Sequence, residues 1–207
     1  MIVRIVAVTA LLAALGGCAV GQKFSYADAP MYLKPQSATG SMALAVLDNR
    51  TEVIGGAKKA SWVGLSRGGY GNTFDVTTKS GLPLANDMAS AVTAALKSVG
   101  RAPQTVIVSP TDGVNGARAA LVASGADRLL LFTLDEWKTD TMMRTGLDFD
   151  VSLTVFDRAG QSLATKRVSG KEVSGSSIVS AEKDAQKWFG DKIAELLGSR
   201  EIVAALG

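Results

Sequence analysis

Leu147-Asp-Phe-Asp-Val-Ser-Leu-Thr-Val155 alternates apolar and polar residues without a break. A strand sends successive side chains to opposite faces, so this stretch specifies a strand with one buried and one wet face. Its flanks extend the pattern. Arg128 to Trp137 reads as a strand before it, and Arg158-Ala-Gly160 as the turn after it. Ser162 to Val173 pairs back as a third strand, and Gly175-Ser176-Ser177 breaks the run. Short connections between consecutive strands predict a three-stranded antiparallel meander.

The remaining elements follow from periodicity. Met42 to Leu47 is a short apolar run ending at Asp48-Asn49-Arg50, a first strand and its turn. Ser61 to Leu65 and Thr73 to Thr77 are two short strands joined by the glycine-rich turn Arg67 to Asn72. Leu84, Met88, Ala91, Val92, Ala95, Leu96 and Val99 form one face of a helix from Pro83 to Ser98, stopped by Gly100. Thr105 to Val108 predicts a buried strand and Asp112 to Ser124 a second helix, capped near Thr111 or Asp112. Ala181, Ala185, Trp188, Phe189, Ile193, Leu196 and Leu197 mark a long amphipathic helix, followed by a short apolar tail from Glu201 to Leu206. The fold class is α+β: a two-layer sandwich with a mixed sheet, the meander, and about three helices packed on one face.

The N-terminus has a different character. Arg4 precedes the apolar run Ile5 to Leu15, and Gly16-Gly17 supplies small residues before Cys18, the single cysteine of the 207-residue chain. The run is too short for a mature membrane-spanning helix, which needs about 20 residues. Residues 1–17 read as a signal peptide. An ordinary secretory signal with an incidental cysteine is the alternative. A thiol directly after small residues, in a chain with no other, argues for lipidation instead. Residues 18–40, with Pro30, Pro35, Ser25 and Ser37, read as a tether, although Tyr26, Tyr32 and Leu33 are suited to pack on the body. Residues 41–207 form a single domain.

Several features together resemble the YajG-like periplasmic lipoproteins. They are the lipobox at Cys18, Val46-Leu-Asp-Asn-Arg50 closing the first strand, the run from Leu129 through Asp148-Phe149-Asp150 to Gly170-Lys-Glu-Val-Ser-Gly175, and the final helix with its apolar tail. The hairpin from Trp62 to Thr77 is richer in glycine than that family leads one to expect. The resemblance implies an outer-membrane lipoprotein facing the periplasm and carries over no catalytic residue. It also implies that Cys18 is thioether-linked to diacylglycerol, freed by cleavage after Gly17, and N-acylated, with palmitate the expected chain. Two or three acyl chains, at about 0.8 kcal/mol per buried CH₂, anchor stably where one does not. Ala19 is not the aspartate that retains enterobacterial lipoproteins in the inner membrane.

The chemistry is bounded by absences in the composition. The chain has no histidine, so a Ser-His-Asp triad and a histidine-bearing zinc site are excluded, and lipidation consumes the thiol. A net charge of +3 without a dense Lys/Arg stripe does not fit nucleic-acid binding. Ser61 near Lys58 and Lys59 matches no Ser-Lys motif. Asp148 and Asp150 share a strand face, with Asp140 across the hairpin; their spacing fits no calcium loop, and a solvent face explains them. Gly64, Gly68, Gly69 and Gly71 lack the Lys-Ser/Thr and the following helix of a phosphate loop, so they read as a turn. No cofactor or metal is expected, and the chain is read as not an enzyme.

The candidate partner-binding residues are Trp62, Arg67, Tyr70 and Phe74, because aromatics beside arginine on a glycine-rich excursion make interface anchors. Against this, Trp62 and Phe74 are also suited to cap the domain's own core. The leading functional expectation is a lipid-anchored interaction or assembly module of the envelope, contacting another envelope protein or itself. The alternatives are a small-ligand or lipid-binding auxiliary of a transport system, which needs an apolar pocket, and a hydrolase using Asp148 or Asp150.

Overall fold

The computed structural model describes residues 21–34, 40–175 and 180–207. Residues 1–17, read from sequence as a signal peptide, Cys18 and Ser176-Ser177 lie outside the described residues. Eight strands form one curled, mixed sheet: β1 (Lys23–Phe24), β2 (Met42–Asp48), β3 (Trp62–Arg67), β4 (Thr73–Thr78), β5 (Gln104–Thr105), β6 (Arg128–Thr141), β7 (Thr145–Asp157) and β8 (Ser162–Val173). The helices are α1 (Thr51–Ile54), α2 (Leu84–Ser98), α3 (Gly113–Ala123), α4 (Ala181–Leu197) and α5 (Arg200–Leu206). β6 runs beyond Trp137 to Thr141. It pairs antiparallel with β7 along its whole length, and β7 pairs antiparallel with β8.

The helices do not all gather on one face. Leu44, Val46, Leu130, Phe132, Val151, Leu153 and Val155 form a core with α2, α4 and α5. Ala43, Ala45, Leu47, Leu129, Leu131 and Phe156 point the other way and pack against Ala117 and Leu121 of α3. Here the two-layer expectation is corrected to three layers. The physical reason is β2, whose residues are all buried, so its uninterrupted apolar run needs cover on both faces. A second correction concerns Thr105 to Val108. The ladder beside β2 covers Gln104–Thr105 at the sheet margin, the Val106 amide adds a bond to the Leu44 carbonyl, Val106 and Val108 are partly buried, and Ile107 is exposed. The second helix has Asp112 at its N-cap, as the sequence reading places it. A 3₁₀ turn at Pro110–Asp112, closed by a reciprocal Ser109–Asp112 capping box, precedes α3.

Residues 21–34, read from sequence as tether, belong to the body. Phe24 and Tyr26 are buried. The rings of Tyr26, Trp137 and Phe189 meet edge to face, with centroids 5.9–6.1 Å apart. Trp137 Nε1 donates to the Tyr26 hydroxyl at 3.0 Å, and burial pushes that phenol well above its ordinary range. Glu182 accepts from the Ser25 amide and Gln186 donates to the Ser25 carbonyl, which fixes the segment along α4. Gly190 permits the crossing, since a Cβ there would sit 2.3 Å from the Pro30 carbonyl oxygen. Tyr32 alone of the three predicted packing residues stays in solvent.

The sheet holds an unusual junction. β7 fills one edge of β6, so β2 and β3 share the other: β2 runs parallel beside Arg128–Leu134 and β3 beside Thr139–Thr141. A bulge at Asp135 lies between them and shifts the side-chain phase by one, so that Trp137 faces the core and Glu136 does not. Arg50, just past β2, bridges this gap. Its Nη1 donates to the carbonyls of Trp62 (2.7 Å) and Trp137 (3.2 Å). Its Nε and Nη2 grip the Asp48 carboxylate at 2.8 and 2.7 Å. Both side chains are 1% exposed. Asn49 adds a backbone bond to Leu134 and a side-chain bond to Asp135.

A buried ion pair strands its second charge when one partner is removed. Arg50→Met is therefore expected to lower the unfolding free energy by about 3–5 kcal/mol in urea titration. Asp48→Leu combined with Arg50→Met is expected to recover part of that loss. Where β3 meets β6, Gly64 has φ +153°, and a Cβ would lie 2.1 Å from Thr139 Oγ1. Gly64→Ala is expected to cost about 3 kcal/mol. Gly69→Ala, at an open position of the tip, is expected to stay within about 0.5 kcal/mol.

Candidate functional site

Three chain segments leave the sheet at one end. Ser66 is the register partner of Thr141, so the β3–β4 tip and the turn Met142–Arg144 emerge side by side. Val173, the last residue of β8, opposes Gly146 at the same end. The tip is closed by Gly68 N–H to the Asn72 carbonyl (2.9 Å) and Gly71 N–H to the Gly68 carbonyl (2.8 Å). This end gathers exposed apolar side chains: Tyr70 is fully exposed, Met143 80%, Val173 67% and Met142 44%.

The four predicted partner-binding residues divide here. Trp62 is not an exposed anchor: it is 3% exposed. Its ring lies against the Arg50 guanidinium and the Lys58 ammonium, 5.8 and 5.5 Å from its centroid, and shields the buried ion pair from water. Its indole N–H is buried without a hydrogen-bond partner. Phe74 is half-buried. Arg67 forks onto Asp140, with Nε 2.7 Å from Oδ1. Tyr70 remains as the exposed aromatic. Met142, Met143 and Val173 escaped the sequence reading. Adjacent methionines in a turn between two strands were the available signal, since a turn has no core to fill.

The carboxylates on the outer face are paired. Asp148 bonds Lys171 at 2.9 Å, Asp150 bonds Arg167, and Asp140 bonds Arg67. The same pairing raises the Arg167 and Lys171 pKa values above their ordinary range, chiefly through the hydrogen bonds to Asp150 and Asp148. These contacts account for the polar alternation of β7 as a charged solvent face. Lys58 bonds Asp75 and not Ser61. Among the described residues no group of three or more His, Cys, Asp or Glu is placed to hold a metal ion. A surface groove of about 480 Å³ lies between residues 32–34 and the α4–α5 junction, lined by Tyr32, Leu33, Lys166 and Glu195. Among the described residues no helix is long and apolar enough to cross a membrane.

No protein-family model matches the chain, and no curated protein sequence does. Solved structures do. The crystal structure of a DUF330 protein from Xanthomonas campestris aligns over 84% of this chain and 92% of that one, at 13% identity and a TM-score of 0.54. Lipoprotein GNA1162 from Neisseria meningitidis aligns over 76% and 99%, at 17% identity and a TM-score of 0.32. The PelC dodecamer from Paraburkholderia phytofirmans aligns over 80% and 93%, at 11% identity and a TM-score of 0.40. The first of these likenesses is one of fold.

Proposed function

We propose that this chain is a lipid-anchored protein of the bacterial cell envelope, related to the YajG-like lipoproteins, that works by contact and not by catalysis. In this reading the signal peptide is removed and acyl chains on Cys18 moor the domain to the outer membrane, facing the periplasm. The observation that carries the contact role is β8. It is a long strand whose only pairing partner among the described residues is β7, and most of its side chains are exposed. A free strand edge is a template for main-chain pairing with another protein or a second copy. Lys166, Arg167 and Lys171 along it are paired with Glu201, Asp150 and Asp148, and a row of charged side chains on an edge strand restricts indiscriminate pairing.

The ligand-binding alternative has the 480 Å³ groove beside Tyr32 and Leu33 as its site. That groove is an open surface feature with Lys166 and Glu195 in its lining, not an enclosed apolar cavity of the kind that holds an apolar ligand. A photo-crosslinking residue placed at Thr165 or Ser169, both exposed on β8, tests the contact role in intact envelopes. The expected outcome is a discrete crosslinked protein band from either position and none from Lys97 on the far helix face. The Cys18→Ser chain is expected in the soluble fraction without that band. Equal labelling at all three positions would remove β8 as a contact edge.

A further inference from the structure

The described chain begins beside the second strand of the hairpin that carries Tyr70. β1 runs parallel to β4, with Lys23 opposite Thr77 and the Gln22 carbonyl accepting from the Thr77 amide. β4 runs away from the hairpin tip, so Gln22 lies on the tip side of Lys23 along β4. The first described residue is Gly21. A trans chain advances at most about 3.6 Å per residue, which puts the Cα of Cys18 within about 11 Å of Gly21. β1 is held by β4, and Phe24 within it and Tyr26 just after it are buried, so little slack remains between lipid and body.

Resting on the reading of Cys18 as lipidated, we propose that the end bearing Tyr70, Met142, Met143 and Val173 is a membrane-contacting surface, seated in the headgroup layer of the leaflet that holds the lipid. A short anchor brings this end to the bilayer and limits the rotation that would lift it away. The chemistry suits the interface. A tyrosine ring has an apolar body and a polar tip, the arrangement that places aromatics at headgroup level. Met142, Met143 and Val173 add apolar surface beside it, and the exposed Arg144 in the same turn faces lipid phosphates. Arg67 is neutralised by Asp140, so it brings no unpaired charge to the contact. Exposed apolar residues elsewhere, such as Leu163 at the opposite end of β8, lack this proximity to the anchor.

The test uses the full acylated protein reconstituted in vesicles of phosphatidylethanolamine and phosphatidylglycerol. The Cys18 sulfur is occupied by lipid, so a nitroxide reacts only at an introduced cysteine: Tyr70→Cys, Met143→Cys or, as reference, Leu163→Cys. Power-saturation EPR then compares collisions with oxygen, which enters lipid, and with a nickel chelate, which stays in water. The expected oxygen-to-nickel ratio is several-fold higher at positions 70 and 143 than at 163. Equal ratios in protein that is acylated and floats with the vesicles would overturn the membrane surface and leave the anchor standing. Shielding of positions 70 and 143 from both reagents would also overturn it, by assigning that end to a second protein copy. A mass without acyl chains at Cys18 would remove the anchor and the proposal with it.

Discussion

The guanidinium of Arg50 sits where two parallel strands meet end to end along one edge of β6. Backbone carbonyls at that junction, on Trp62 and Trp137, face a gap that no strand fills. An unpaired carbonyl buried there would carry a desolvation cost, and water reaching it would open the sheet. Arginine suits the place because its planar fork satisfies two carbonyls and a carboxylate together. Asp48 neutralises the charge, the Asp135 bulge turns β6 to make room, and Trp62 covers the assembly. Each of these residues makes sense only in the presence of the others.

That junction links the fold to its proposed use. It fixes the β3–β4 hairpin to β6, and so sets Tyr70 beside Met142 and Met143. The hairpin's second strand holds β1, the start of the described chain. Trp137, whose carbonyl meets Arg50, turns its indole to Tyr26 on the opposite side. One side chain thus ties the sheet junction to the buried N-terminal segment. The N-terminal strand, the apolar end and the core are parts of one mechanical unit.

Much of this was legible in the sequence. The alternation from Leu147 to Val155 located β7, and three- and four-residue spacing located α2 and α4, because burial on one face imposes a period that composition cannot hide. The lost information was relational. The uninterrupted run Met42–Leu47 located a strand, yet nothing local said that it would be buried on both faces with α3 covering the second. Tyr26 and Trp137 lie far apart in the chain, so the tether reading of residues 18–40 could not foresee their contact. At the hairpin, glycine spacing located the turn. The inward placement of Trp62 depended on Arg50, whose local context suggested only a turn. Met142 and Met143 carried a signal of their own in the turn, and register joined them to Tyr70.

Native-state hydrogen exchange across a denaturant series tests the central claim most directly, since it measures the opening free energy of each strand in the unmodified chain. If Arg50 joins the two half-edges into one sheet, amides of Trp62–Arg67 and Met42–Asp48 converge on a common opening free energy shared with Leu129–Leu134. An opening of Trp62–Arg67 at markedly lower free energy, with Met42–Asp48 still closed, would contradict the account and make the hairpin an independent appendage.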